Sequence, residues 1–258
     1  MLKSFCIVIT LLIAHSSSYA DCSSNGIYFW PQTPTIKQNS IIVIEGYAMS
    51  QKIISELNIN YPIFLKSGTT KIKLNVLEIC VGQFQLTQAI LVPEENLTAG
   101  LEYEIVIENL TEGDVLKQWN VVSGKYELIK WTVEEGIDNT KPTWTKKPNE
   151  EKKSYIPYGC GPGKNVQFNF AIYDESPVML KTKVTHINSG KSATYYLDVN
   201  IATQVNIGHG MCSGAFTFKD GEAYEISFDI VDFSGNLTAW TYDNIMFTAP
   251  FISDGEGN

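Results

Sequence analysis

The sequence predicts an all-β protein folded as two β-sandwiches in tandem. Three observations predict this. Apolar residues recur with period two in short segments, glycines punctuate those segments, and the best helix candidate, 49–57, is only one or two turns long. Period two places side chains i and i+2 on one face of a strand, so one face can pack while the other stays wet.

In the first half, 41–44 and 61–65 are short apolar runs. Residues 71–77 alternate, with Ile72, Leu74 and Val76 on one face. A less regular apolar pattern covers 84–91. Tyr103, Ile105 and Ile107 alternate again, and 118–122 and 126–133 complete the set. Gly68, Gly82, Gly100, Gly113 and Gly124 separate these runs. In the second half Val166, Phe168, Phe170 and Ile172 alternate, followed by 178–187, 194–199, 215–218, 224–231 and 245–247. This number of short strands between turns suits a sandwich, with a barrel as the alternative closure.

Composition narrows the function. The 258 residues are 44% hydrophobic and 12% aromatic, enough apolar material for packed cores. Net charge is -9, and all 19 basic residues are lysines. With neither a basic field nor an arginine to read bases, nucleic acid is excluded as an expected partner. Lys3, the apolar run 5–14, and small Ser18 and Ala20 describe a secretory signal peptide over 1–20, cut before Asp21. The mature chain is expected to be secreted, periplasmic or at the cell surface. No later segment is long and apolar enough for a transmembrane helix.

Export also frames the cysteines. Signal removal takes Cys6 and leaves Cys22, Cys80, Cys160 and Cys212. An even count in an oxidising compartment predicts disulfides, and four cysteines allow three pairings. The expected pairs are Cys22–Cys80 and Cys160–Cys212, one per half, closing loops of similar length. A zinc site has little support, because no two cysteines lie close in sequence.

The chain repeats itself once. Cys80-Val81-Gly82-Gln83-Phe84 matches Cys212-Ser213-Gly214-Ala215-Phe216. Gly100-Leu101-Glu102-Tyr103-Glu104-Ile105 matches Gly221-Glu222-Ala223-Tyr224-Glu225-Ile226. The segment 134–142 has few core-forming residues and is read as the boundary. The expected organisation is therefore a first domain over 21–135, a second over 136–250 and a flexible tail over 251–258. Residues 148–153 are charged and are read as an exposed loop.

Several of these features resemble tandem bacterial immunoglobulin-like or fibronectin type III-like modules. Asp138-Asn139-Thr140-Lys141-Pro142 resembles the entry to such a module. The strand from Tyr224 to Asp232, with Ser234-Gly235-Asn236 after it, resembles its late tyrosine strand and the Asp-x-x-Gly-Asn turn. In the first half, Leu91-Val92-Pro93 and 97–103 resemble the corresponding approach, but Asn109-Leu110-Thr111 follows without the glycine-asparagine turn. The resemblance implies immunoglobulin-like sandwiches used for adhesion, spacing or presentation. Such a fold does not by itself decide among these uses.

A search for chemistry finds little. His209 and Cys212 have the residue types of a nucleophile and its base, but a disulfide-bonded Cys212 cannot attack. Asp220 and Glu222 are weak metal candidates, and neither they nor Asp198 with Asn200 form the alternating acidic loop of a calcium site. Asp232 and Asn236 read as a turn. Trp30, Trp119, Trp131, Trp144 and Trp240, with Tyr195 and Tyr196, include candidates for a sugar-stacking face. Of these, Tyr195, Tyr196 and Trp240 are the ligand-binding candidates. Asn96, Asn109 and Asn236 begin glycosylation sequons. The expected protein is a non-catalytic structural or adhesion module, without cofactor, that meets an extracellular or envelope protein or glycan. The alternatives are a carbohydrate-binding protein and an accessory domain of an envelope enzyme system.

Overall fold

The computed structural model describes residues 22–111, 116–120, 124–199 and 203–252, with main chain only for 117–120. The expected signal segment, the tail from 253, Asn200 and the side chain of Trp119 lie outside the described part. The strands are β1 (Asn25–Trp30), β2 (Thr35–Ile36), β3 (Ile42–Ala48), β4 (Ile63–Ser67), β5 (Thr70–Val81), β6 (Leu86–Pro93), β7 (Glu102–Ile107), β8 (Lys117–Asn120), β9 (Lys125–Leu128) and β10 (Lys130–Val133). They continue with β11 (Thr143–Tyr158), β12 (Gly161–Tyr173), β13 (Val178–His186), β14 (Ser192–Asp198), β15 (Gln204–His209), β16 (Ala223–Asp232), β17 (Leu237–Thr238) and β18 (Ile245–Thr248). One short helix, α1 (Gln51–Ser55), falls inside the helix candidate and buries Ile53 and Ile54.

Strands up to β10 build an eight-stranded sheet in the order β1-β3-β6-β5-β4-β7-β10-β2, with β8 and β9 as a separate hairpin. Later strands form a three-stranded sheet, β11-β12-β15, and a sheet ordered β14-β13-β16-β17 in which β18 also pairs with β16. The eight-stranded sheet closes around a core that includes Ile42, Ile44, Leu65, Leu74, Tyr103 and Trp131. A second core gathers Phe168, Phe170, Leu180, Phe216, Phe228 and Phe247.

That second core crosses the midpoint of the chain. It also contains Ile41, Val43, Cys80 and Ile90 from the first half. Strands β3 and β6 are covered on both sides: Ile42, Ile44, Ala89 and Leu91 face one core, and Val43 and Ile90 face the other. Their unbroken apolar runs, rather than alternation, are the pattern of strands buried on both faces. Strand β5 serves both layers through a bulge. Its register shifts between Val76 and Glu78. One extra residue turns a strand's side chains to the opposite face. Ile72 and Leu74 therefore enter the first core and Cys80 enters the second. Leu77 in the bulge, and Ile79 and Val81 beyond it, are exposed.

These findings correct the expectation of two separate sandwiches, each closed by its own disulfide. Cys22 pairs with Cys212 across a sequence separation of 190, so neither Cys22–Cys80 nor Cys160–Cys212 forms. Cys80 is a buried thiol, and Cys160 is exposed in the β11–β12 turn. The chain is a single all-β unit tied nearly end to end. The pairing followed which chain segments pack together, and loop length alone carries no such information.

The repeated cysteine motifs meet each other. Phe84 and Gly214 exchange backbone hydrogen bonds, with the Phe84 N–H donating at 3.1 Å and the Gly214 N–H at 2.9 Å. The Gln83 N–H donates to the Ala215 carbonyl at 3.0 Å. A Cβ at Gly214 would lie 2.2 Å from the His209 Cβ, so only glycine permits this approach. Residues 215–218, read as a strand, instead follow the two isolated bridges that Gly214 makes to Phe84 and His209 and are irregular.

Two further readings change. Residues 148–153 belong to β11, not to a loop. β11 is an edge strand with register shifts at Trp144/Lys146, Lys146/Asn149 and Glu150/Lys152. Bulges, proline and lysine are how sheets blunt an edge, and together they erase the period-two signal. β15, at the opposite edge of that sheet, carried no recognised pattern.

Candidate functional site

The two layers meet over a polar seam, and a cavity of about 220 Å³ opens there. Gln88 on β6 holds the seam with its amide. Its Nε2 donates to the Tyr196 carbonyl at 3.0 Å, and its Oε1 accepts the Tyr196 N–H at 3.1 Å. One side chain thus satisfies both main-chain groups of a buried residue. The Tyr196 hydroxyl donates to Glu78 at 2.8 Å, and Lys181 donates to the same carboxylate at 2.8 Å. The Tyr195 hydroxyl donates to Glu45 at 2.6 Å.

The electrostatics divide the three seam carboxyls. Burial works against ionised Glu78, but donors from Lys181 and Tyr196 outweigh it and hold its pKa below the usual value. Glu45 has only the Tyr195 hydroxyl against a larger burial effect, and its pKa is pushed up to about 7. Asp198, at the end of β14, is raised to about 6 by burial, with a Trp30 hydrogen bond as the partial offset. Glu45 and Asp198 both line the cavity, with Trp30, Tyr195, Leu86 and Met179 among the other walls. Cys80 sits beneath the seam. Burial and the Glu78 charge push its thiol up to about 12, so it is a poor nucleophile.

A second constellation lies where 138, the end of β12 and the end of β16 converge. Asp138, Asp174 and Asp232 each place one carboxylate oxygen within 4.8 Å of the others. Asp232 accepts the N–H groups of Ser234 and Asn236, both at 2.8 Å, as its reading as a turn residue expected. Asn236 also donates to the Asp138 carbonyl at 3.1 Å. Burial and the Asp138 charge raise the pKa of both Asp174 and Asp232. Oxygen donors of this kind suit a hard divalent cation such as calcium. Sequence reading missed this grouping because the three aspartates come from segments far apart in the chain.

The residues singled out from sequence do not converge. Tyr195 and Tyr196 are 1% and 7% exposed, so neither ring is offered to a sugar. Both belong to the second core, and each hydroxyl donates to a seam carboxylate. Trp240 is half-buried and packs edge-on against Trp144 and Phe228. Trp131 is fully buried and donates to the Pro31 carbonyl at 2.9 Å. Asp220 pairs with Lys164, and Glu222 pairs with His186. Those two weak metal candidates are thus each held by a cationic or ring partner rather than by each other. His209 directs Nδ1 to the Gly210 carbonyl at 2.8 Å, and Cys212 is spent in the disulfide.

Comparison with known proteins leaves this geometry to speak for itself. No family model matches the chain. No curated protein matches it either. Among solved structures, a pullulanase from Anoxybacillus sp. LM18-11 complexed with maltotriose is 9% identical with a TM-score of 0.24, covering 76% of this chain and 24% of the pullulanase. The chicken CNTN1 FN1-FN3 domains are 8% identical at a TM-score of 0.25, covering 86% and 64%. A cytokine receptor complex is 7% identical at 0.26, covering 89% and 99%. The chain spans about a quarter of the pullulanase. At these TM-scores the superpositions assign neither a family nor an activity.

Proposed function

We propose that the chain is an exported, non-catalytic interaction module that meets a protein partner through the tip of its β11–β12 hairpin. The carrying observation is the overhang of that hairpin. β15 pairs with β12 only from Lys164 to Asn169, so 156–163 stand as a two-stranded ribbon beyond the third strand. Ile156 and Tyr158 on this ribbon are 43% and 44% exposed. An apolar, aromatic tip flanked by lysines is suited to insertion into a partner's surface. Export is supported by the leader-like composition of 1–20 and by a disulfide, which persists in oxidising compartments. No helix among the described residues is long and apolar enough to cross a membrane. The carbohydrate reading loses the two tyrosines it leaned on.

A photo-crosslinking residue at Tyr158, introduced into the full chain in the producing cells, tests the reading. A discrete protein adduct that disappears with Ile156→Asp is expected. Adducts only to glycan, or none above an equally exposed control position such as Tyr28, would overturn it.

A further inference from the structure

We propose that the cavity between the two layers is a binding site for a small organic ammonium ion, on the ground that its described lining joins two carboxylates and aromatic walls without a lysine or histidine. Glu45 enters from β3 and Asp198 from the end of β14, so two separate elements each bring an anion to one space. No lysine or histidine lines the cavity among the described residues. Lys181, the lysine of the seam, is committed to Glu78. The donors to these carboxylates, the Tyr195 hydroxyl for Glu45 and the Trp30 indole and Val199 main chain for Asp198, carry no positive charge. Ionised carboxylates in such a place are costly without a counter-charge, and the upward pKa displacement of both groups is the same cost in another form.

The walls choose the kind of cation. A hard metal ion takes six or more oxygen ligands. Here Val43, Leu86, Met179, Leu197 and Ala215 line much of the cavity with side-chain hydrocarbon, which offers a metal no ligand. An alkylammonium uses both kinds of wall. Its charge sits between the carboxylates and against an aromatic face, and its carbon groups lie on the aliphatic side chains. The cavity of about 220 Å³ exceeds what one ion needs and suits a molecule of a few carbons. Glu45, Asp198 and Trp30 are only partly buried, so the site is reachable from solvent.

Choline chloride is the probe, and its uncharged isostere 3,3-dimethylbutan-1-ol is the control. Both are titrated into the full oxidised chain by calorimetry at pH 7.5 and matched ionic strength. Choline is expected to bind saturably and about tenfold or more tighter than the alcohol, the factor one desolvated cation–aromatic contact supplies. Glu45→Gln and Asp198→Asn should each weaken choline and leave the alcohol unchanged, with circular dichroism reporting that both variants are folded. Should either variant fail to fold, the pH series on the unmodified chain decides: affinity should rise from pH 5 to pH 8 as the carboxyls ionise. Equal binding of choline and alcohol, no binding of choline, or an affinity indifferent to pH would each overturn the proposal. None of these outcomes bears on the hairpin tip, which lies on other strands.

Discussion

Two repeated motifs in this chain behave in opposite ways. In the Gly-x-x-Tyr-Glu-Ile pair the two copies have the same local structure. The Tyr103 hydroxyl accepts the Thr98 N–H at 3.3 Å, and the Tyr224 hydroxyl accepts the Lys219 N–H at 2.9 Å, each five residues upstream. Both tyrosines are buried. In the Cys-x-Gly-x-Phe pair the copies differ: Cys80 is a buried thiol, Cys212 bonds Cys22, and the segments pair with each other. A motif closed by a bond within five residues keeps its geometry wherever it occurs. A motif whose partner is far along the chain takes the partner that packing supplies.

The largest effect that would break this contrast concerns the cysteines. Cys212→Ser should lose about 5 kcal/mol by the chain-entropy relation for so long a loop, whereas Cys80→Ala should lose about 1 kcal/mol of core packing. Urea unfolding of the oxidised proteins measures both. Comparable losses would mean that Cys80 holds the structure as strongly as the disulfide does. Next in size, Gln88→Ala strands a main-chain donor and acceptor of Tyr196 in the seam and should cost about 2–4 kcal/mol. An effect near zero would show that water replaces the amide.

The seam should also reveal itself through pH. Glu45 and Asp198 have folded pKa values of about 7 and about 6, above their ordinary ones. Their neutral forms are therefore the ones the fold favours. Their contribution is fully present at pH 4 and below, and is lost as pH rises to about 7. Each group changes stability by at most ~1.4 kcal/mol per pH unit. The groups facing them are Tyr195 for Glu45 and the Trp30 indole for Asp198. Glu78, held down by Lys181 and Tyr196, acts in the other direction and only below its ordinary range. Thermal melts from pH 4.5 to pH 8 should decline, and Glu45→Gln should flatten the decline. The smallest effect sharpens the likeness of the tyrosines: Tyr103→Phe and Tyr224→Phe should each cost about 1 kcal/mol, equal within error.

Much of the secondary structure was readable. The alternation at Val166, Phe168 and Phe170 became β12, and that at Tyr103, Ile105 and Ile107 became β7, because a strand with one wet face writes its period into the sequence. β11 was not readable, because its bulges break the period and its edge carries lysines. The candidate sites were hardly readable at all. Glu45 is a single acid within an apolar run, and Asp138, Asp174 and Asp232 are ordinary acids of three turns or strand ends. Their roles come from being brought together. The doubly covered strands do leave a trace in the sequence: 41–44 and 88–92 hold too little alternation for a strand with a solvent face.

By itself, then, the sequence determined the all-β character, the short helix, the buried tyrosines and the turn at Asp232, since each depends on contacts a few residues long. Only the tertiary structure decided that β3 and β6 lie between two cores, that Cys22 reaches Cys212, and that Glu45 and Asp198 share a cavity. Those outcomes depend on which faces exclude water from one another, and that choice is made between segments more than a hundred residues apart, where local pattern carries no record of the partner.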